Sequence, residues 1–247
     1  MRIIKHSSGI LNKNEIRKFK IMLVKSKLRE NINNIMHSLG IKQYSKFDFD
    51  DIVVPDSSLS VKAMELARES CNQVLLYHSY RTYFWSAGFA LSEKLKTDPE
   101  QLFTAAILHD IGLTDQHNHI CSKQCFANYG GDFSKEFCLK NGMDESKANL
   151  IKQAIDMHLN PTINRNKYGN EAYTLSKGAI MDVIGAYYFQ FSKKFITNVH
   201  HYYSRKGFKE DIIHTMEHFQ HKEGSRADIL YKMGIAKMAE KNKLDLI

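Results

Sequence analysis

Five ionisable side chains stand where helical periodicity asks for core residues. His78 follows VLLY, His109 and Asp110 follow AAIL, His158 closes IKQAIDMH, and Asp182 lies within GAIMDVIGAYY. A buried carboxylate is costly unless it is paired, hydrogen-bonded or bound to a metal. A buried imidazole taken alone is ordinarily a hydrogen-bonded core residue. Five such groups on four separate helices are explained together if they converge. Two imidazoles and two carboxylates make a site for a divalent cation, which offsets the burial cost of the carboxylates. Neighbouring residues on a helix point about 100° apart. His109 and Asp110 can still grip one ion from the last turn of a helix, where the backbone is less constrained.

The elements that must position these groups read almost entirely as helix. Apolar residues Ile16, Phe19, Met22, Leu23, Leu28, Ile32 and Ile35 predict an amphipathic helix over 14–38. KFDFDDIVVPDSSLS breaks the pattern, with Pro55 disfavouring helix before it and Asp56 or Ser57 available as a cap. Further helices are expected over 58–71 and 74–96. The next starts at KTDPEQLF, capped by Thr97 or Asp98 with Pro99 in the first position, and runs to Ile111 before Gly112. Helices over 131–141, 144–159, 171–190, 192–205, 208–220 and 225–241 complete the set. No strand, repeat or low-complexity tract is evident, so the class is all-α.

The order His … His-Asp … Asp resembles that of the HD superfamily of metal-dependent hydrolases. The matching residues are His78, His109 with Asp110, and Asp182, the pair sitting in ILHDIG with a His about 30 residues before and an Asp about 70 after. Within the superfamily, VPDSSLSVKAMELARES, HSYRTYFWSAGFA, ILHDIGLTD, CFANYGGDFSKEF, QAIDMH, KGAIMDVIGA and YYSRKGFKED are similar to the cyanamide hydratase-like branch over roughly residues 52–235. The resemblance implies an HD-domain helical bundle, placed at 51–247, and residues 1–50 lie outside it as a basic N-terminal helical extension read from their own spacing and charge. It implies one zinc or other divalent ion (iron, manganese, cobalt or nickel) held by His78, His109, Asp110 and Asp182, beside a buried pocket for a small polar substrate. Two-metal relatives carry further His residues before the last Asp, and after Gly130 only His158 lies in that interval. Tyr77 stands where the branch usually has Asn, and Cys125-Phe126-Ala127 where it has an Arg-Phe-Glu-like triplet. Loss of that Arg and Glu implies altered substrate choice.

An ion with an open position lowers the pKa of its bound water. Asp110 is the expected catalytic residue, binding the ion and orienting or deprotonating that water. His158 is a candidate for substrate binding or proton shuttling, against the reading of a supporting core His. Arg81, one turn after His78, either holds a substrate anion or pairs with a carboxylate. Phe126 is expected at the substrate. Attack on a nitrile-like carbon would be hydration, and attack on phosphorus would be ester hydrolysis. The first is preferred, because few Lys or Arg accompany the motifs. A non-catalytic binding module is the reading from a third class.

The charge supports that last reading only at one end. Residues 1–50 hold eleven Lys and Arg against four acids, which places +7 of the net +8 there. A solvated helix face is the ordinary meaning of such a segment, with nucleic acid left open as a partner. No apolar run reaches the roughly 18 residues that cross a bilayer, and no secretory signal is read at the start. Four Cys in 247 residues make no disulfide framework, so a cytoplasmic protein with a small-molecule substrate and a capacity to form homo-oligomers is expected. His117, His119, Cys121 and Cys125 have the content but not the spacing of a structural zinc site, and His214, His218 and His221 share a helical face. P-loop, Rossmann and nucleophile-elbow signatures are absent.

Overall fold

The computed structural model describes residues 8–41, 44 and 46–247. Among them the regular structure is helical throughout, and β-pairing is limited to an isolated bridge between Ile10 and Ser225. The helices are α1 (Lys13–Ser38), α2 (Ser58–Ser70), α3 (Gln73–Ser92), α4 (Pro99–Leu108), α5 (Phe126–Lys140), α6 (Glu145–Met157), α7 (Arg165–Ile184), α8 (Lys193–Tyr202), α9 (Phe208–His218), α10 (Arg226–Lys232) and α11 (Ile235–Ala239). Their starts follow the side chains that satisfy free backbone N–H groups. Asn12 and Glu15 form a capping box on α1, Ser57 caps α2, Asn72 caps α3, and Asp98 caps α4 ahead of Pro99.

α3 and α4 are the centre of the main bundle. Thirteen of the twenty residues of α3 and eight of the ten of α4 are buried, so neither helix has a solvent face of ordinary width. α3 lies along α7, and α5 along α6, with α4 between them. The α3–α7 approach is close because Gly178 presents no side chain. A Cβ there would meet the Thr82 carbonyl oxygen at 2.7 Å. Trp85, Phe89, Phe103, Phe191 and Phe195 fill the main core.

A second apolar cluster joins α1 to the C-terminal helices. Phe19 is almost wholly buried against Phe208, Ile212, Met216, Leu230 and Ile235. The start of the chain is pinned further by Leu11 N–H donating to Gly224 O (2.9 Å) and Cys125 N–H donating to Ser8 O (2.9 Å). The apolar residues expected to make one face of α1 divide between two. Phe19 faces the protein, whereas Leu28, Ile32 and Ile35 are more than half exposed.

Several element boundaries differ from expectation, among them the end of α3 at Ser92 rather than 96, the end of α4 at Leu108 rather than Ile111 and the start of α7 at Arg165 rather than 171. α5 begins at Phe126, five residues early. α7 stops at Ile184, because Gly185 adopts the left-handed conformation (φ 71°) that ends helices. The stretch 225–241 is two helices, broken at Gly234 with φ 84°. No helix among the described residues is long and apolar enough to cross a membrane, and all four cysteines are free.

Candidate metal centre

His109 and Asp110 reach one point because the helix ends between them. α4 stops at Leu108. His109 is its C-cap with helical angles, and Asp110 (φ −108°, ψ 18°) opens a 3-10 turn over Ile111–Leu113. His109 Nδ1 lies 2.8 Å from the Ala106 carbonyl and donates to it, which leaves Nε2 as a lone pair in the neutral ring. Burial drives the His109 pKa down to about 3, so the ring is neutral.

His78, from the middle of α3, completes a triangle. Its Nε2 is 3.2 Å from His109 Nε2 and 3.3 Å from Asp110 Oδ2, and Asp110 Oδ2 is 3.3 Å from His109 Nε2. All three residues are buried, and among the described residues theirs is the one such group of possible ligands. Four ligands about 2.0–2.1 Å from a tetrahedral ion stand about 3.3 Å apart, which is the spacing seen. Asp110 Oδ1 is buried with no hydrogen-bond partner. Burial raises the pKa of Asp110, but the surrounding imidazoles outweigh it and hold the carboxylate ionised. An ionised carboxylate, an orphaned oxygen and two imidazole nitrogens aimed at one point fit a divalent cation.

Asp182 stands on the other side of His78. Its Oδ2 accepts from His78 Nδ1 at 2.7 Å, so the ring is oriented with Nε2 towards the triangle. The expected fourth ligand is therefore found behind the first one. Its remaining capacity is filled. Arg81 Nε donates to Oδ1 (2.9 Å) and Nη2 to Oδ2 (2.9 Å), Trp85 Nε1 donates to Oδ1 (2.8 Å), and Arg205 Nη1 donates to Oδ1 (2.8 Å). Burial raises the Asp182 pKa, but the two guanidiniums and His78 hold it well below the usual carboxylate range. For His78, burial lowers the pKa, and hydrogen bonds to Asp110 and Asp182 more than restore it, so the cation-free ring is drawn towards its protonated form. A cation in the triangle takes the place of that proton. The Phe208 ring stacks on His78, 4.7 Å between centroids, and meets Arg81 on its π-face at 4.8 Å.

Arg81 thus occupies the second of its two expected roles. Its guanidinium is wholly buried and spent on Asp182 and on the Ser204 carbonyl (2.7 Å from Nη1), and it does not line the cavity beside the cluster. His158 and Phe126 do line it. His158 is the C-cap of α6. Its Nδ1 donates to Ile155 O (2.7 Å), and its Nε2 stands 3.5 Å from the orphaned Asp110 Oδ1. Burial lowers its pKa. Phe126 lies with its ring 5.8 Å from that of His158. The other two His clusters do not assemble. His117 pairs with the Tyr129 hydroxyl (2.8 Å), and Cys121 Sγ faces the Gly112 carbonyl. His214 stacks on His218, whereas His221 neighbours Phe126. Arg205 and Trp85 are functional neighbours that spacing alone did not single out. The available signal was a fixed cation and an indole N–H near a carboxylate that needed partners.

The cavity holds about 770 Å³. At the cluster it is polar, lined by His78, His109, Asp110, His158 and Asn160, and elsewhere largely apolar, with walls from α1, α7, α9, α10 and α11. Lys27, Lys237 and Lys241 stand at its exposed rim.

Residues 75–187 match the HD domain family, a span that contains His78, His109, Asp110, His158 and Asp182. The match supports placing the chain in the HD superfamily, most of whose members are metal-dependent hydrolases. No curated protein matches the chain.

Proposed function

We propose that this HD-domain chain is a metal-dependent enzyme that adds water to a carbon–nitrogen centre of the nitrile or cyanamide kind. The observation that carries the reading is the lining of the cavity around the His78–His109–Asp110 triangle. Arg81 and Arg205, behind the triangle, are paired with Asp182 and Asp245, Arg226 donates to Asn160 and Asn128 from outside the lining, and the lysines stand at the exposed rim. Phosphoryl transfer asks for cationic donors on the transferring group. A weakly charged substrate suits the apolar walls better.

A divalent ion held by His78, His109 and Asp110, most readily zinc, supplies the acidification of water that makes hydroxide available near neutral pH. The protein's own contribution is positional and protolytic. Asp182 fixes the His78 ring, and the Ala106 carbonyl fixes His109. Asp110 Oδ1, facing His158 Nε2 at 3.5 Å, is placed to take the proton of the attacking water. Asp110 hands that proton to the lone pair of His158 Nε2, which passes it to the substrate nitrogen as the order of the carbon–nitrogen multiple bond falls by one. Phe126 and the apolar walls limit competing water.

Metal analysis of the purified protein, followed by turnover assays with nitriles, cyanamide, nucleotides and phosphate esters on metal-replete protein, tests the reading. Nitrile or cyanamide hydration that is lost in Asp110→Ala supports it. Nucleotide or phosphate-ester hydrolysis lost in the same variant, without nitrile hydration, overturns the choice of substrate and leaves the metal centre in place.

A further inference from the structure

The cavity is far larger than the reaction proposed for it needs. Its 770 Å³ lies in the range of sites for drug-sized ligands, whereas a single water takes about 30 Å³ of liquid. Its polar groups are also unevenly placed. The imidazoles, Asp110 and Asn160 gather at the buried end, and the exposed lysines mark the rim. The rest of the lining is largely hydrocarbon and thioether, with Ser26, Glu30 and Asn31 of α1 and Tyr187 as its other polar members. Val183 and Ile184 of α7, Ile212 and Met216 of α9, Leu230 of α10 and Met238 of α11 all line the cavity and belong to one apolar cluster. Methionine side chains on such a wall adapt to apolar ligands of differing shape. α1 contributes Leu23 and Val24, so the basic N-terminal helix forms part of the same enclosure.

We propose that the substrate carries an apolar body of several carbons, which lies along the channel between α7 and α9–α11 under α1 while its polar, reacting end meets the metal cluster. The identity of the reacting end rests on the function proposed above. The apolar body rests on the channel alone.

The test is binding of straight-chain nitriles, from acetonitrile to octanenitrile, to the metal-loaded full chain by calorimetry, with turnover measured in parallel. Burial of one methylene is worth roughly 0.8 kcal/mol, or about fourfold in affinity. Affinity is expected to climb by about that factor per carbon and to level off once the channel is full. Val183→Trp fills the channel and should flatten the climb, with metal content unchanged. Ile184→Phe is a smaller obstruction that should shorten the climb if the Trp variant does not fold. Equal affinity from two to eight carbons in the parent protein overturns the proposal, whatever the turnover. Affinity that climbs while no nitrile is hydrated upholds the apolar subsite and refutes the assigned reaction. Hydration of nitriles whose affinity is indifferent to chain length does the reverse.

Discussion

Replacing Asp182 by Asn separates a carboxylate that orients a ligand from one that is itself a ligand. Asp182 is wholly buried and is the carboxylate on which the equally buried Arg81 places both Nε and Nη2. Asn keeps the shape and removes the charge. Leaving one member of a buried ion pair uncompensated costs about 3–5 kcal/mol. At roughly 2–4 °C per kcal/mol for a chain of this size, the melting temperature should fall by about 6–20 °C. His78 Nδ1 also loses its charged acceptor, 2.7 Å away in the parent. Loss of such an orienting partner weakens metal binding about 10–100-fold. Thermal unfolding and a competitive chelator titration read the two effects separately. A melting temperature within a degree of the parent would refute the buried-pair argument. A folded Asp182→Asn protein that retains no measurable metal affinity would show that Asp182 binds the ion directly.

Asp110→Ala should remove most bound metal and abolish turnover, because it takes away one corner of the triangle and the orphaned oxygen together. Metal content by mass spectrometry checks this, and a fully active, metal-free variant would contradict it. Gly178→Ala should destabilise the fold by about 1–3 kcal/mol, since the new methyl meets the Thr82 carbonyl oxygen. Denaturant unfolding measures the loss, and wild-type stability would mean that α3 and α7 are free to separate. His200 governs an acid-dependent contribution. Burial first, then Arg205, lowers its pKa from 6.5 to about 4. The unfolded chain therefore takes up a proton that the folded one refuses, and stability falls as pH drops from about 6.5 to 4, by about 3 kcal/mol in full. Urea midpoints at pH 7 and pH 5 should differ less in His200→Gln than in the parent. An identical difference would exclude His200 as the cause.

What could be read in the sequence was set by local rules. The caps at Ser57 and Asp98, the Pro99 start and the all-α class follow from residue types whose preferences act within a few positions. His78, His109, Asp110 and His158 stood out because each interrupts an apolar pattern, and the structure brings all four to one cavity. Asp182 stood out for the same reason, but the pattern says only that a buried carboxylate needs partners. Those partners, Arg81 and Arg205, come from α3 and from the loop after α8, and their choice depends on how α7 lies against them. That is a tertiary fact with no local signature. The cavity was illegible for a similar reason, because its walls come from five helices. The expected amphipathic face on α1 failed because its apolar residues are spread over more than one side of an otherwise polar helix, and spacing does not say that Phe19 faces inward while Ile32 faces out. Gly234 alone was too weak a signal to split α10 from α11.

The chain contains a single tryptophan, and its indole N–H is donated to Asp182, the carboxylate that also accepts from His78. Emission from Trp85 consequently originates two hydrogen bonds from the triangle, in a fully buried environment and with no second indole to dilute it. Quenching by the neighbouring ionised carboxylate and imidazole depends on how tightly that hydrogen bond is held. The protein thus carries its own optical probe of the centre. Titration with a divalent cation should alter the lifetime of the tryptophan without any added label, and the same signal follows exchange of one cation for another in real time.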